Sequence, residues 1–332
     1  MSDPCLLAVS LLTSAQISAC AAPAQPPSLF FQTAAGGQTV PTAEITAPEF
    51  SQRLPGPAAL LSQLAIPLPL GASVSPQIYP DSVAYSRTGT RKPATGAQLY
   101  HQRLAALSYG QIYTRLPPDS FWSFWANATE QPSYEDWKDL LEQEAGAIAH
   151  GQGSNLLAIL VGDSLSLWFP PTQLPSGRLW LNQGISGDTA GGVLSRLSAF
   201  SQTTPHTIYI MAGINDLRRG ESDRAILWNF RQIVRRLRRE HPHSLTIVQS
   251  ILPTRLAAIP NSRIRNLNRQ IAAIAYQEGA SYLDIYIYFA DERGDLRQEL
   301  TTDGLHLNPS GYAVWQWALQ EAESWFALNP MR

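Results

Sequence analysis

LLAILVGDSLSLW, residues 156–168, has the pattern of a buried strand that stops at a turn. Leu156, Leu157, Ile159, Leu160 and Val161 surround Ala158 without a polar residue between them, and Gly162-Asp163-Ser164 follows at once. A continuous apolar run of this length suits a strand covered on both faces, as in parallel sheets. In such sheets ligands gather at the carboxyl ends of the strands, where loops and helix N-termini offer backbone N–H groups. Ser164 therefore stands where α/β folds place their chemistry. Gly, Asp and Ser are also turn residues, so the tripeptide taken alone reads as a turn and helix cap.

Downstream, apolar runs alternate with helical patterns. Strands are expected at Leu156–Val161, Arg178–Leu181, Thr207–Met211, Leu245–Leu252 and Ser281–Ile285. Helices are expected at Ala190–Phe200, Asp223–Glu240 and Arg263–Glu278, with a last one after Pro309. This alternation predicts a three-layer α/β/α domain over 154–328, built on a five-stranded parallel, flavodoxin-like sheet. The arginine run 231–239 is interleaved with Leu227, Phe230, Val234 and Leu237 at helical spacing, so it reads as the solvent side of a helix.

Upstream, residues 94–153 read as a mostly helical and irregular N-terminal extension. One helix-like stretch lies between Thr95 and Arg115 and stops at Pro117-Pro118; another begins at Ser133, with Asp136 in a capping-box position. Between them, Phe121-Trp122-Ser123-Phe124-Trp125 is an aromatic knot, expected in the core, with a sugar-stacking platform as the alternative. Residues 21–93 are rich in Pro and Ala and read as a linker-like region. Residues 1–20 contain an uncharged apolar stretch, Leu6–Ile17, followed by small residues, as in a secretory signal. Ile17-Ser18-Ala19-Cys20 resembles the lipobox of bacterial lipoproteins, although no Lys or Arg precedes it. An exported protein is expected, with possible membrane association through a lipidated Cys20. A cytoplasmic protein is expected if the segment is not a functional signal.

Composition limits the function classes. The 332 residues include 44% hydrophobic and 15% charged residues, which excludes overall disorder. A net charge of −2 gives no electrostatic footprint for nucleic acid. Both cysteines, Cys5 and Cys20, lie in the first twenty residues, so disulfides and thiolate metal sites are excluded from the body of the chain.

Thr301-Thr302-Asp303-Gly304-Leu305-His306 places an acid and a histidine three residues apart, so that one loop can aim an imidazole while a carboxylate steadies it. Two further stretches follow predicted strands: Asn182-Gln183-Gly184-Ile185-Ser186-Gly187-Asp188-Thr189, and Gly213-Ile214-Asn215-Asp216. The first leaves backbone N–H groups exposed at a helix start, and the second can present the Asn215 amide at the same sheet edge.

The blocks GDSLS, NQGISGDT, GIND and DGLH, in this order, resemble those of the SGNH hydrolases, also called the GDSL esterase/lipase family. ISGDT is similar to the bacterial lysophospholipase/thioesterase-like branch. The resemblance implies Ser164 as nucleophile, His306 as general base oriented by Asp303, and an oxyanion hole from the N–H groups of Ser164 and Gly187 and the Asn215 amide. Asp163 and Asp216 are then left to cap or tie loops. The implied reaction is hydrolysis of carboxylic esters, of short-chain acyl, acetyl-glycan or lysophospholipid type, through an acyl-enzyme and without a cofactor or metal. The implied partner is a small-molecule or glycan ester. The same residues would serve an O-acyltransferase acting on polysaccharide. Two readings from other classes are a metal-dependent phosphoesterase using Asp163, Asn215, Asp303 and His306, and a non-catalytic envelope binding protein. Trp168, Phe169, Pro170 and Pro171, just past the serine, fit an acyl-pocket wall and the core equally well.

Overall fold

The apolar run after Asn155 becomes the centre of a sheet. In a computed structural model of the chain, which describes residues 91–328, the strands are β1 (Leu157–Gly162), β2 (Leu179–Gly184), β3 (Thr207–Met211), β4 (Leu245–Gln249) and β5 (Ser281–Leu283). All pair parallel in the order β2-β1-β3-β4-β5. Chain order reverses on either side of β1, so the crevice for a ligand opens at its carboxyl end. The helices are α1 (Gly96–Ser108), α2 (Trp122–Trp125), α3 (Tyr134–Gly151), α4 (Ser164–Leu167), α5 (Ala190–Ser195), α6 (Ile214–Arg218), α7 (Asp223–Glu240), α8 (Asn261–Gln277), α9 (Tyr286–Phe289) and α10 (Pro309–Leu328). The expected signal, Cys5, Cys20 and nearly all of the Pro/Ala-rich region lie outside the described residues.

Strand alternation divides the core. Leu157, Ile159 and Val161 of β1 face the cluster that contains Phe230 and Val234 of α7, Leu267 of α8 and Ile148 of α3. Ala158 and Leu160 face the opposite cluster, with Phe169 and with Trp315 and Leu319 of α10. Both faces of the sheet are thus dry, which explains why β1 has no polar position. The arginines of α7 stay on its outer side, where Arg231 and Arg235 pair with Glu278 and Arg236 with Glu240.

Ser133 caps α3 as predicted: its hydroxyl accepts from the Asp136 N–H, and its own N–H donates to the Asp136 carboxylate. The upstream helices are tied to the sheet by a buried charge. Arg103 of α1 donates from Nε and Nη2 to both oxygens of Glu144 in α3, at 3.0 and 2.6 Å, and from Nη2 to the Asn182 carbonyl in β2 at 2.8 Å. The guanidinium also lies over the Tyr113 ring, 4.5 Å from its centroid.

The aromatic knot departs from the core expectation. Trp125 alone is fully buried, whereas Trp122 and Phe124 are exposed. The cause is local: Phe121 takes φ 60°, ψ 27°, and this left-handed residue starts the single turn of α2 so that Trp125 points in and Trp122 and Phe124 point out. A bulky residue held there costs on the order of 1–2 kcal/mol. The expected helix Ala190–Phe200 is also broken, into α5 and a 3-10 turn, Leu197–Phe200, with Arg196 at the break.

Candidate active site

β1 ends in register with its neighbours, Gly162 opposite Gly184 of β2 and Met211 of β3. Ser164 is therefore two residues past the sheet edge, Gly187 three past it on one side and Asn215 four past it on the other. Glycine lets these ends crowd together. A Cβ on Gly184 would lie 2.8 Å from Leu167 Cα and 2.9 Å from the Asp163 carbonyl oxygen, so only glycine lets β2 pass the turn that bears Ser164. Gly187 has φ +78° and open space around it, so it is required by backbone conformation instead.

Asp163 is the N-cap of α4: its Oδ1 accepts from the Leu165 N–H at 2.9 Å. Burial pushes its carboxyl up to about 7, opposed by the Leu165 hydrogen bond; Asp188 raises it further, and the nearby His306 imidazole lowers it. Asp216 likewise ties a loop, accepting from the Ala190 N–H at 2.8 Å. Both aspartates have the capping and tying places expected of them.

The Asn215 amide is oriented from both ends. Arg218 Nη1 donates to Asn215 Oδ1 at 3.1 Å, which aims the amide nitrogen toward the Asp188 carbonyl at 3.0 Å and Asp163 Oδ2 at 3.4 Å. Behind it lies a buried ion pair that the sequence reading missed. Arg196 Nε donates to Asp188 Oδ2 at 2.7 Å, while its two other nitrogens donate to the carbonyls of Gln183 and Gly162 at 2.7 and 2.9 Å. One guanidinium thus binds the ends of β1 and β2 and the loop that carries Gly187. Arg219 adds a bond to the Gly187 carbonyl at 2.7 Å.

The histidine loop is built differently. Thr301 and Leu307 form an antiparallel bridge, and Thr301 Oγ1 donates to the His306 carbonyl at 2.7 Å. Gly304, at φ +85°, turns the tip, and its carbonyl accepts from the Arg255 N–H at 2.8 Å. Inside this turn His306 Nδ1 lies 2.7 Å from Asp303 Oδ2, and the N–H groups of His306 and Leu305 donate to Oδ1 at 2.7 and 3.0 Å. Partial burial pushes the Asp303 carboxyl up, but the bonds from the His306 ring and from these two N–H groups outweigh it and hold it below its ordinary value. The ionised Asp303 carboxylate can accept a proton carried on Nδ1, the tautomer that leaves the Nε2 lone pair free. The loop is anchored beside the serine, since Tyr312 at the start of α10 donates to the Leu165 carbonyl at 3.1 Å.

Two hollows are lined in part by residues that flank Ser164 in the sequence. A nook of about 10 Å³ is lined by Asp163, Leu165, Ile214, Leu252 and Leu305, which are sequence neighbours of Ser164, Asn215 and His306 or lie close to them. An apolar cleft of about 200 Å³ is lined by Leu167, Trp168, Phe169, Pro170, Tyr113 and Leu116. Phe169 is also core, with its ring edge against Tyr312 and Trp315, so the segment past the serine both lines this cleft and packs into the core. Among the described residues no group of three or more His, Cys, Asp or Glu side chains is arranged to hold a metal ion.

A family model described as GDSL-like Lipase/Acylhydrolase matches residues 119–314. A candidate platelet activating factor from Streptococcus pneumonia shares the fold, with TM-score 0.52 and 23% identity over 57% of this chain and 93% of that one. A GDSL-like lipase from Bacteroides thetaiotaomicron VPI-5482 aligns with TM-score 0.47 and 18% identity over 57% and 98% of the two chains. An N-acylneuraminate cytidylyltransferase of Streptococcus agalactiae serotype V is 27% identical over 148 residues, 45% of this chain. The chain spans about a third, 34%, of the length of that curated relative.

Proposed function

The chain belongs to the GDSL-like lipase/acylhydrolase family and is an ester-hydrolysing enzyme, and on that premise we propose that it is a serine esterase acting on short-chain carboxylic esters through an acyl-enzyme on Ser164. The observation that carries this reading is the Asp303–His306 couple, 2.7 Å apart, in a loop whose following helix is tied by Tyr312 to the turn after Ser164. In this proposal His306 Nε2 takes the Ser164 proton as Oγ attacks the acyl carbon. The Ser164 and Gly187 N–H groups and the Asn215 amide stabilise the oxyanion of the tetrahedral intermediate, which collapses as the alcohol leaves with the proton from His306. Water then repeats the sequence in reverse and frees Ser164.

We draw the preference for a short acyl group from the nook beside Asp163 and Leu165, which has room for about one water-sized group. A series of p-nitrophenyl esters tests it. Acetate to butyrate should be hydrolysed with kcat/KM at least about 10-fold above octanoate, since added methylenes that find no room gain nothing from burial, and Ser164→Ala should abolish turnover throughout. A rising rate with chain length would overturn the short-acyl preference, and unchanged turnover in Ser164→Ala would overturn the serine mechanism.

A further inference from the structure

Three large exposed side chains gather on the upstream part of the fold, far in sequence from the proposed triad. Tyr109 is 59% exposed, Trp122 43% and Phe124 57%. Phe121 packs among them, its ring stacked on Tyr109 at 5.0 Å, with Phe124 edge-on to both at 6.0 and 6.3 Å. Together they present on the order of 300 Å² of aromatic surface, as large as the patches that mark interaction sites on monomeric proteins. The left-handed Phe121 keeps Trp122 and Phe124 outside when Trp125 is buried.

The flanking charges and the ring geometry select the partner. The Arg91 guanidinium lies 4.3 Å from the Trp122 ring centroid, and Lys92 and Arg115 are exposed beside the same segment. Asp119 and Glu130 are the exposed acidic residues nearest the knot in sequence. A sugar platform needs a free, flat ring face. Here Phe121 and Tyr109 each cover one face of the other, and Arg91 lies over one face of Trp122. A projecting group of Tyr, Trp and Phe edged by Arg and Lys matches instead the composition that enters the headgroup layer of a bilayer. Lys92, next to Arg91, also lines the apolar cleft, as does Trp168, four residues past Ser164.

We propose that Tyr109, Trp122 and Phe124, flanked by Arg91 and Lys92, form a docking face for an anionic phospholipid surface. The rings enter the headgroup region and the two cations meet lipid phosphates. This face is independent of the acyl group the enzyme prefers.

The test is co-sedimentation of the full chain, in a Cys20→Ser background so that no lipid can be attached at that residue. Vesicles of phosphatidylcholine mixed with phosphatidylglycerol are compared with vesicles of phosphatidylcholine alone. The protein should partition onto the mixed vesicles. Tyr109→Ser/Trp122→Ser/Phe124→Ser should weaken that partition about 10-fold or more, and Arg91→Gln/Lys92→Gln should remove most of the preference for the anionic vesicles, again about 10-fold. Circular dichroism and hydrolysis of soluble p-nitrophenyl acetate should be unchanged in both variants. The proposal is overturned if the parent stays in the supernatant with both vesicles, or if either variant binds the mixed vesicles as the parent does. It is equally overturned if the rings are needed for sedimentation with insoluble polysaccharide, or for dimer formation in the ultracentrifuge, and not for vesicle binding.

Discussion

The two halves of the site are held by opposite means. On the strand-end side, the Asp188–Arg196 pair has side chains 3% and 2% exposed, and the Arg196 nitrogens reach carbonyls of two different strands. On the loop side, Asp303 and His306 are 53% and 40% exposed and are joined by bonds within a single turn. Groups that would stabilise developing charge gain most from a dry, pre-oriented setting, because water and thermal rotation would otherwise dilute them. A base that must exchange protons with a leaving alcohol and an incoming water needs access instead. The difference teaches that rigidity in this site comes through burial on the proposed oxyanion side and through local hydrogen bonds on the proposed base side.

The contrast can be broken most severely at Arg196. Arg196→Met keeps the volume but leaves Asp188 buried without its cation, and should cost roughly 3–5 kcal/mol of stability in urea unfolding; a loss within experimental error would deny the buried network its role. The next largest effect is expected for Asn215→Ala, with kcat on a good ester falling about 10² to 10³ while KM changes little. Asp303→Ala should cost less than the ~10⁴ that a buried orienting aspartate loses, about 10², because water can partly replace an exposed carboxylate. Were Asp303→Ala as damaging as the loss of a buried triad member, the account of an exposed base side would fail.

The smallest effect is in the pH dependence of stability, where the two sides carry opposite signs. Asp163 has its carboxyl raised from 3.8 to about 7, so the stability it contributes is complete below its ordinary value and is lost as pH rises through 7. Asp303 is lowered, so its contribution is present above its ordinary value and disappears as pH falls through its folded one. Denaturation at a series of pH values between 4 and 8 should show a decline toward the alkaline end. Asp163→Asn, which keeps the acceptor for the Leu165 N–H, should reduce that decline whatever it does to the absolute stability. Asp216 and Asp284, also raised, sustain the remainder.

What the sequence made legible follows from what repeats in sequence. Burial on both faces leaves an unbroken apolar run, which is why β1 and β3 are visible as strands, and an amphipathic face leaves helical spacing, which is why α7 matches its expected bounds. The chemistry-bearing blocks taken singly read as turns, and it is their order, which resembles that of the SGNH hydrolases, that marks them. Arg196 leaves no such mark: two of its nitrogens bind backbone carbonyls, which every residue has. Arg103 did leave a signal, since it sits one helical turn after the buried Leu99 on a face that should be apolar. The split of the aromatic knot turns on the backbone of Phe121, and no pattern of residue types announces a left-handed phenylalanine. Beyond Gln249, the expected strand stops because the Ile251 N–H and carbonyl are taken by the Asn268 side-chain amide, at 2.9 and 2.8 Å.

The central claim is that the exposed base and the buried oxyanion side converge on one hydroxyl. A fluorophosphonate probe read by intact and peptide mass spectrometry tests this directly. The account predicts one equivalent of label, on Ser164, at a rate that falls by orders of magnitude in His306→Ala and to zero in Ser164→Ala. Label on another residue, or ester hydrolysis that persists when Ser164 is fully labelled, would contradict it.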